Sequence, residues 1–451
     1  MAHLDSLVVA AAPNRKPTVA VIGGGYAGIA AAVTLAGAGV HCSVFEAGKT
    51  LGGRARRIEY RGEVIDNGQH ILAGAYTELL RLMQIVGAPD SSLQRIPLRL
   101  FIPPNFLLTA PRKVRLPGSL HMGWALLAAK GLTLADRLAA IRFMLVLKRA
   151  KFQIDASKSV ATFLAEQKQP QNLIDYLWQP LTISALNTSL TSASAQIFAN
   201  VLRDSLASNR DASDLLLPRV DLSALFPEPA AVWLATQGSE VHTTHRIKEI
   251  VAADRRYRVI SESDTLYFDG IILAVGPHQL KGLMSEIASP TLTYEPIVTI
   301  YFRFDQPIRM RETMLGQIGG LAQWFFDRQA LSVTANFSTG GGLIAAVISA
   351  SGPHELISQE ELAERVLDEL KRHIPGLPAP VWQKVVTEKF ATFACVPAAD
   401  RPPMKTSYAG VFRAGDYVAG DYPATLEGAV RNGIAAARAT ITYLQTGEPI
   451  G

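Results

Sequence analysis

Three glycines, Gly23, Gly25 and Gly28, stand at G-x-G-x-x-G spacing behind a short apolar run, and an acid, Glu46, follows eighteen residues after the last of them. That combination suits a dinucleotide. The first glycine permits a tight turn, the second lets a pyrophosphate approach backbone amides, and the third lets a helix pack on a strand. A carboxylate at Glu46 accepts hydrogen bonds from a ribose and repels a 2′-phosphate. Just beyond it, Gly48 and Leu51-Gly52-Gly53-Arg54 offer a second stretch of bare backbone and a guanidinium able to bond phosphate. The plain alternative for Arg54 is a solvated surface arginine. Asp66 and His70 add a carboxyl and an imidazole able to exchange a proton. Their structural alternatives are a turn cap for Asp66 and a backbone-held ring for His70.

The elements that must position these residues follow from apolar patterning. Residues 18–22 predict a strand, the Ala-rich stretch after Gly28 a helix whose N-terminus faces the phosphates, and 40–45 a second strand. Residues 257–260 and 265–268 predict a hairpin around Ser263-Asp264, and the apolar run 271–275 a buried strand. Near the C-terminus, 411–414 leads into Gly415-Asp416. Beyond it Leu426, Ala429, Val430, Gly433, Ile434, Ala437, Ile441 and Leu444 recur at helical spacing. The fold class expected is α/β: a discontinuous Rossmann-like dinucleotide-binding domain over 17–75, 211–285 and 385–451, and an α+β substrate-binding domain over 76–210 and 286–384. Residues 1–16 are expected to form a flexible tail.

A chain of 451 residues, 48% apolar, exceeds one ordinary core and supports two domains. Two cysteines, Cys42 and Cys395, are too few for a disulfide framework or a metal cluster, so a reducing compartment and no metal are expected. The N-terminus lacks the basic start of a signal peptide, and no run of about 18 uncharged apolar residues predicts a membrane-spanning helix. A net charge of +5 raises the question of nucleic acid, but the excess is local. Residues 111–151 hold nine basic side chains against Asp136 alone, a segment of +8 in a remainder of −3. With Trp124, Leu138 and Leu145 interleaved, the segment is read as a basic amphipathic surface for the headgroup layer of a membrane and not as a nucleic-acid footprint. The alternative is a solvated face over an apolar core. The localisation expected is cytoplasmic, peripheral on the inner face of the membrane.

From Glu46 to Arg54 the chain resembles the amine oxidase and polyene desaturase flavoprotein superfamily, with Thr50 and Arg57 where that superfamily carries Arg and Ser or Thr. The resemblance implies non-covalent FAD as cofactor, and Asp416 matches the superfamily's flavin-side acid in its closing motif. Asp66-Asn67-Gly68-Gln69-His70, Leu177-Trp178-Gln179-Pro180-Leu181, 214–222 and 420–429 narrow the likeness to the hydroxysqualene dehydroxylase family of squalene and hopanoid pathways. It covers nearly the whole chain, from Pro17 to Leu444. What it implies is reductive loss of the allylic hydroxyl of hydroxysqualene, an apolar triterpenoid, with His70 or Asp66 as the proton donor. No residue identifies the electron donor. The alternatives are a phytoene-type desaturase, an amine oxidase, and a non-catalytic prenyl-lipid binding protein, which the intact glycines, Glu46 and Asp416 oppose. Phe198, Leu202, Trp178, Trp233 and Phe325 are of the kinds that line a long apolar tunnel, though residues of these kinds are more often plain core.

Overall fold

A computed structural model describes residues 16–111, 118–287, 290–331 and 341–447. Residues 1–15 of the expected tail lie outside the described residues, as do Arg112, Lys113 and Arg115 of the basic segment. In chain order the principal elements are β1 (Thr18–Ile22), α1 (Tyr26–Gly37), β2 (His41–Phe45), α2 (Gly118–Ala128), α3 (Leu134–Arg149), α4 (Ala195–Ser205), β3 (Glu240–His242) and β4 (Gly270–Leu273). They continue with β5 (Tyr294–Arg303), β6 (Met314–Gly316), β7 (Trp324–Asp327), β8 (Leu343–Ser349), β9 (Trp382–Phe393), β10 (Val411–Arg413) and α5 (Leu426–Thr446).

The first sheet runs β3-β2-β1-β4-β10 with every pair parallel. Its central strands β1 and β4 read as apolar runs because both faces are covered. Val19 and Val21 of β1 pack under α1 and α5, while Ala20 and Ile22 face a second core that includes Phe268. The expected hairpin forms, with Tyr257 opposite Phe268 and Ile260 opposite Thr265. It belongs to a small antiparallel sheet laid over this second face, where Phe268 meets Phe45 edge-on at 5.9 Å. On the first face α1 and α5 approach so closely that a Cβ on Gly433 would lie 2.1 Å from the Ala27 carbonyl oxygen.

The second sheet is antiparallel, in the order β6-β7-β8-β5-β9. The β5–β9 register shifts between Glu295 and Ile297, around Pro296, whose missing N–H cannot continue the ladder. One face of this sheet buries Ile300, Phe302, Phe325 and Ile344 against Leu362, Val366 and Leu370 of the helix Gln359–His373. The other face turns Trp324, Phe326 and Val347 toward a cavity between the sheets. Helix α3 stops at Arg149, because Lys151 and Phe152 adopt left-handed backbone with φ of 51° and 59°. No helix among the described residues is long and apolar enough to cross a membrane.

Candidate active site

A single cavity of about 1290 Å³ runs from the glycine turn after β1 to an apolar chamber walled by Leu98, Leu100, Phe198, Leu202, Trp324 and Phe326. At the turn, the three glycines differ in what they avoid. Gly23 has φ +112°, and a Cβ there would meet the Ala274 carbonyl oxygen at 2.5 Å. A Cβ on Gly28 would lie 1.9 Å from the Gly23 carbonyl oxygen, so this glycine serves helix packing behind the turn and does not line the cavity. For Gly25 the nearest atom to a Cβ is the Gly53 Cα at 3.7 Å. Its open side is the cavity itself, which Gly25 lines. Gly25 also caps α1 without a side chain, so no side chain satisfies the first-turn amides of that helix.

Glu46, at the end of β2, holds the two bare turns together. One carboxylate oxygen accepts from the Gly24 amide at 2.8 Å and the other from the Gly48 amide at 2.7 Å. Gly52 and Gly53 both have positive φ, and the Gly52 amide donates to the Gly24 carbonyl at 2.9 Å. The second glycine stretch is thereby pinned beside the first. Arg54 follows directly and crosses the cavity to Asp416 with an Nη2–Oδ1 distance of 2.5 Å; the arginine side chain as a whole is 41% exposed and that of the aspartate 8%. Its other nitrogen donates to the carbonyls of Phe390 and Ala391 on β9. Thus two of the three charged residues expected to meet a dinucleotide, Arg54 and Asp416, meet each other across the site.

His70 lines the same cavity. Its Nδ1 lies 2.9 Å from the Gly68 carbonyl, which fixes the tautomer with Nδ1–H as donor and leaves Nε2 as the nitrogen able to take or give a proton. Burial lowers its pKa below the ordinary imidazole value, the Gly68 bond opposes this, and the Arg54 charge adds to it. Asp66 is placed differently: it is 3% exposed and stands off the cavity wall. One oxygen accepts from the Leu222 amide at 2.8 Å, the other lies 3.6 Å from Arg328, and its own carbonyl receives the Tyr301 hydroxyl at 2.9 Å. Burial pushes its carboxyl up to about 7 against the pull of Arg328. Gly23, Gly25, Glu46, Gly53, Arg54, His70 and Asp416 share one cavity, and Asp66 and Gly28 lie behind its wall.

Of the five residues expected to line a tunnel, Phe198 and Leu202 do so. Trp178 packs against Phe143 and Phe198 in the core, Trp233 lies against the core under α1, and Phe325 points to the far side of its sheet. Its neighbours Trp324 and Phe326 line the chamber instead, since adjacent strand residues face opposite ways. Trp324 is fixed there by an indole N–H donated to Ser184 at 2.9 Å. Leu98, Leu100 and Met314 also reach the chamber, and they were not anticipated because no local periodicity marks them.

The family model described as "Flavin containing amine oxidoreductase" matches residues 26–441. Hydroxysqualene dehydroxylase from Rhodopseudomonas palustris is 31% identical over 93% of this chain and 97% of its own. The protein of the same name from Sinorhizobium fredii is 30% identical over 95% of this chain and 99% of its own. Among solved structures, an oxidoreductase from Methanosarcina mazei superposes with a TM-score of 0.71 at 16% identity, covering 93% of this chain and all of that one, a likeness of fold. The chain belongs to the flavin-containing amine oxidoreductase family and, within it, to the hydroxysqualene dehydroxylases, which makes it a flavin-dependent oxidoreductase.

Proposed function

We propose that the protein binds FAD non-covalently and reduces hydroxysqualene to squalene, in the supply of squalene for hopanoids. The observation that carries this is the continuity of one cavity, from a dinucleotide turn to a chamber of aliphatic and aromatic walls. The residues present fit such a cofactor. Gly25 leaves open the cradle that any side chain would fill, the α1 amides lack a cap, and Glu46, Arg54 and Asp416 supply an acceptor, a cation and a second acceptor along the groove. Non-covalent binding is supported by both cysteines: Cys42 and Cys395 are buried off the cavity wall, and burial pushes the Cys395 thiol up to about 12.

When bound and reduced, FAD supplies the hydride that replaces the hydroxyl. The chain's own part is to hold the allylic carbon in a dry chamber and to give the leaving oxygen a proton, so that the carbon–oxygen bond breaks with water as the product. Leu98, Leu100 and Leu202 exclude solvent, and the π faces of Trp324 and Phe326 favour the positive charge that grows on the allylic carbons. His70 is the donor this reading selects: Gly68 holds Nδ1–H, and Nε2 carries the proton to the oxygen. Asp66, spent on Leu222 and Arg328, is a positioning residue for the strand that leads to His70. The protein works as a peripheral enzyme at the membrane's inner face, where its apolar substrate resides. Anaerobic incubation of the reduced enzyme with hydroxysqualene tests the reading, with squalene identified by mass as the expected product and recovery of unchanged substrate as the result that rejects it.

A further inference from the structure

Helices α2 and α3 each bury one face and leave a second apolar face in solvent. On α2, Met122, Ala125 and Leu126 are at most 6% exposed, whereas Leu120, Trp124 and Leu127, at i, i+4 and i+7, are 59, 52 and 43% exposed. On α3, Ala140, Phe143 and Leu147 are buried, whereas Leu134, Leu138 and Leu145 are 67, 55 and 47% exposed. Elsewhere among the described residues, exposed large apolar side chains come singly in the sequence or as the one pair Leu266 and Tyr267. These six lie outside the core, and on two helices packed against each other they make an exposed apolar ridge, uncovered among the described residues.

The ridge is preformed. Thr133 and Asp136 close a reciprocal cap at the start of α3, and Arg137 donates to the carbonyls of Leu127 and Ala129 at the end of α2, which ties the hairpin together. Its charge is of one sign. Lys130, Arg142, Lys148, Arg149 and Lys151 are exposed around the ridge, and the single acid, Asp136, is 5% exposed and committed to Thr133 and Asn172. Behind the ridge lies the cavity: α2 packs against the turn 210–213, and Leu206, Ala212 and Ser213 of the cavity wall bracket the exposed Ser208 and Asn209.

We infer that the outer face of the α2–α3 hairpin docks on an anionic phospholipid surface, with Leu120, Trp124, Leu127, Leu134, Leu138 and Leu145 entering the headgroup layer and the surrounding lysines and arginines meeting lipid phosphates. The apolar substrate then enters the chamber from the lipid through the adjoining 206–213 segment, a step that rests on the proposed reaction. A patch that is both apolar and basic suits an anionic bilayer, whereas a second copy of the chain would bring like charges together around the same ridge.

Co-sedimentation of the flavin-loaded enzyme with vesicles of equal parts phosphatidylglycerol and phosphatidylcholine, without substrate, tests the surface. Binding is expected at low salt, weakened by raised salt and by vesicles of phosphatidylcholine alone. Joint replacement Arg142→Gln, Lys148→Gln and Arg149→Gln, which leaves no new acid at the helix C-terminus, should weaken binding about a hundredfold, at roughly 1 kcal/mol for each basic residue removed. Trp124→Gln with Leu138→Gln should weaken it about tenfold or more, and an unchanged melting temperature and flavin content show that each variant is folded. Absence of wild-type binding to the mixed vesicles, or variants that bind as the wild type does, overturns the inference. So does a dimer in light scattering that the Trp124→Gln, Leu138→Gln variant separates and vesicles do not. Vesicle binding without squalene formation would leave the surface standing and reject the proposed reaction, and the reverse result would do the opposite.

Discussion

Glu46 has a second task that its position in the chain does not reveal. An acid after the second strand predicts a ribose contact, but the structure has its two oxygens also joining the Gly24 and Gly48 amides, so it shapes the turns it serves. Glu46→Ala should therefore weaken FAD by about 1.5–3 kcal/mol, the range for hydrogen bonds to a charged group. Fluorescence titration of the apoprotein measures this, and undiminished affinity would remove Glu46 from the site. His70 makes a prediction in pH. Its pKa lies below the ordinary imidazole value because it is buried, so the protonated form that the proposed donor role needs is lost as pH rises through that lowered value. The single-turnover rate should fall with rising pH on the acid side of the usual imidazole range, and His70→Ala should both slow the step, by about 10²–10⁴-fold, and abolish that limb. A variant with the same rate and the same profile would return His70 to a ring held by backbone. The motif around Asp66 and His70 was legible in the sequence, but the division of labour inside it was not. Asp66 is claimed by Leu222 and Arg328, which lie 156 and 262 residues away, and nothing local to Asp66 announces them.

At the scale of elements, three parallel strands of the first sheet, β1, β2 and β4, and its two covering helices were readable because each carries its own signal, whereas the three-residue edge strand β3 was too short to carry one. β1 and β4 are uninterrupted apolar runs beside glycine turns, and α5 repeats its apolar residues at helical spacing. The chamber wall on β7 was harder to read. Trp324-Phe325-Phe326 is three aromatics in succession, and with no polar residue to mark a face, alternation alone cannot say which of them looks inward. The structure decides it through the partner helix Gln359–His373, whose apolar stripe takes Phe325. Gly433 illustrates an element-level constraint that looks like mere helical spacing in the sequence. With the Ala27 carbonyl oxygen 2.1 Å from any Cβ, Gly433→Ala must push α5 off the first turn of α1. That change should cost about 1–3 kcal/mol of stability, the usual range for overpacking. A lowered melting temperature together with weaker FAD binding is the expected pair of results, since α1 presents the cradle. A melting curve like that of the wild type would mean that the helices do not meet as described.

Across the whole molecule, the two sheets are of different kinds, and the site is the space between them. The parallel sheet places Glu46 after β2 and Asp416 after β10, with β1 and β4 between them, and the antiparallel sheet supplies an aromatic floor, so that a polar ligand and an apolar one can lie end to end in one cavity. Reduction and desaturation both need that arrangement, and they differ in the direction the hydride travels. The measurement that separates them most directly is anaerobic mixing of the fully reduced enzyme with hydroxysqualene, following flavin absorbance and squalene by mass in the same sample. One flavin oxidised for each squalene formed is the predicted result. A reduced flavin that stays reduced, with an oxidised enzyme that instead inserts double bonds into squalene or phytoene, would contradict it.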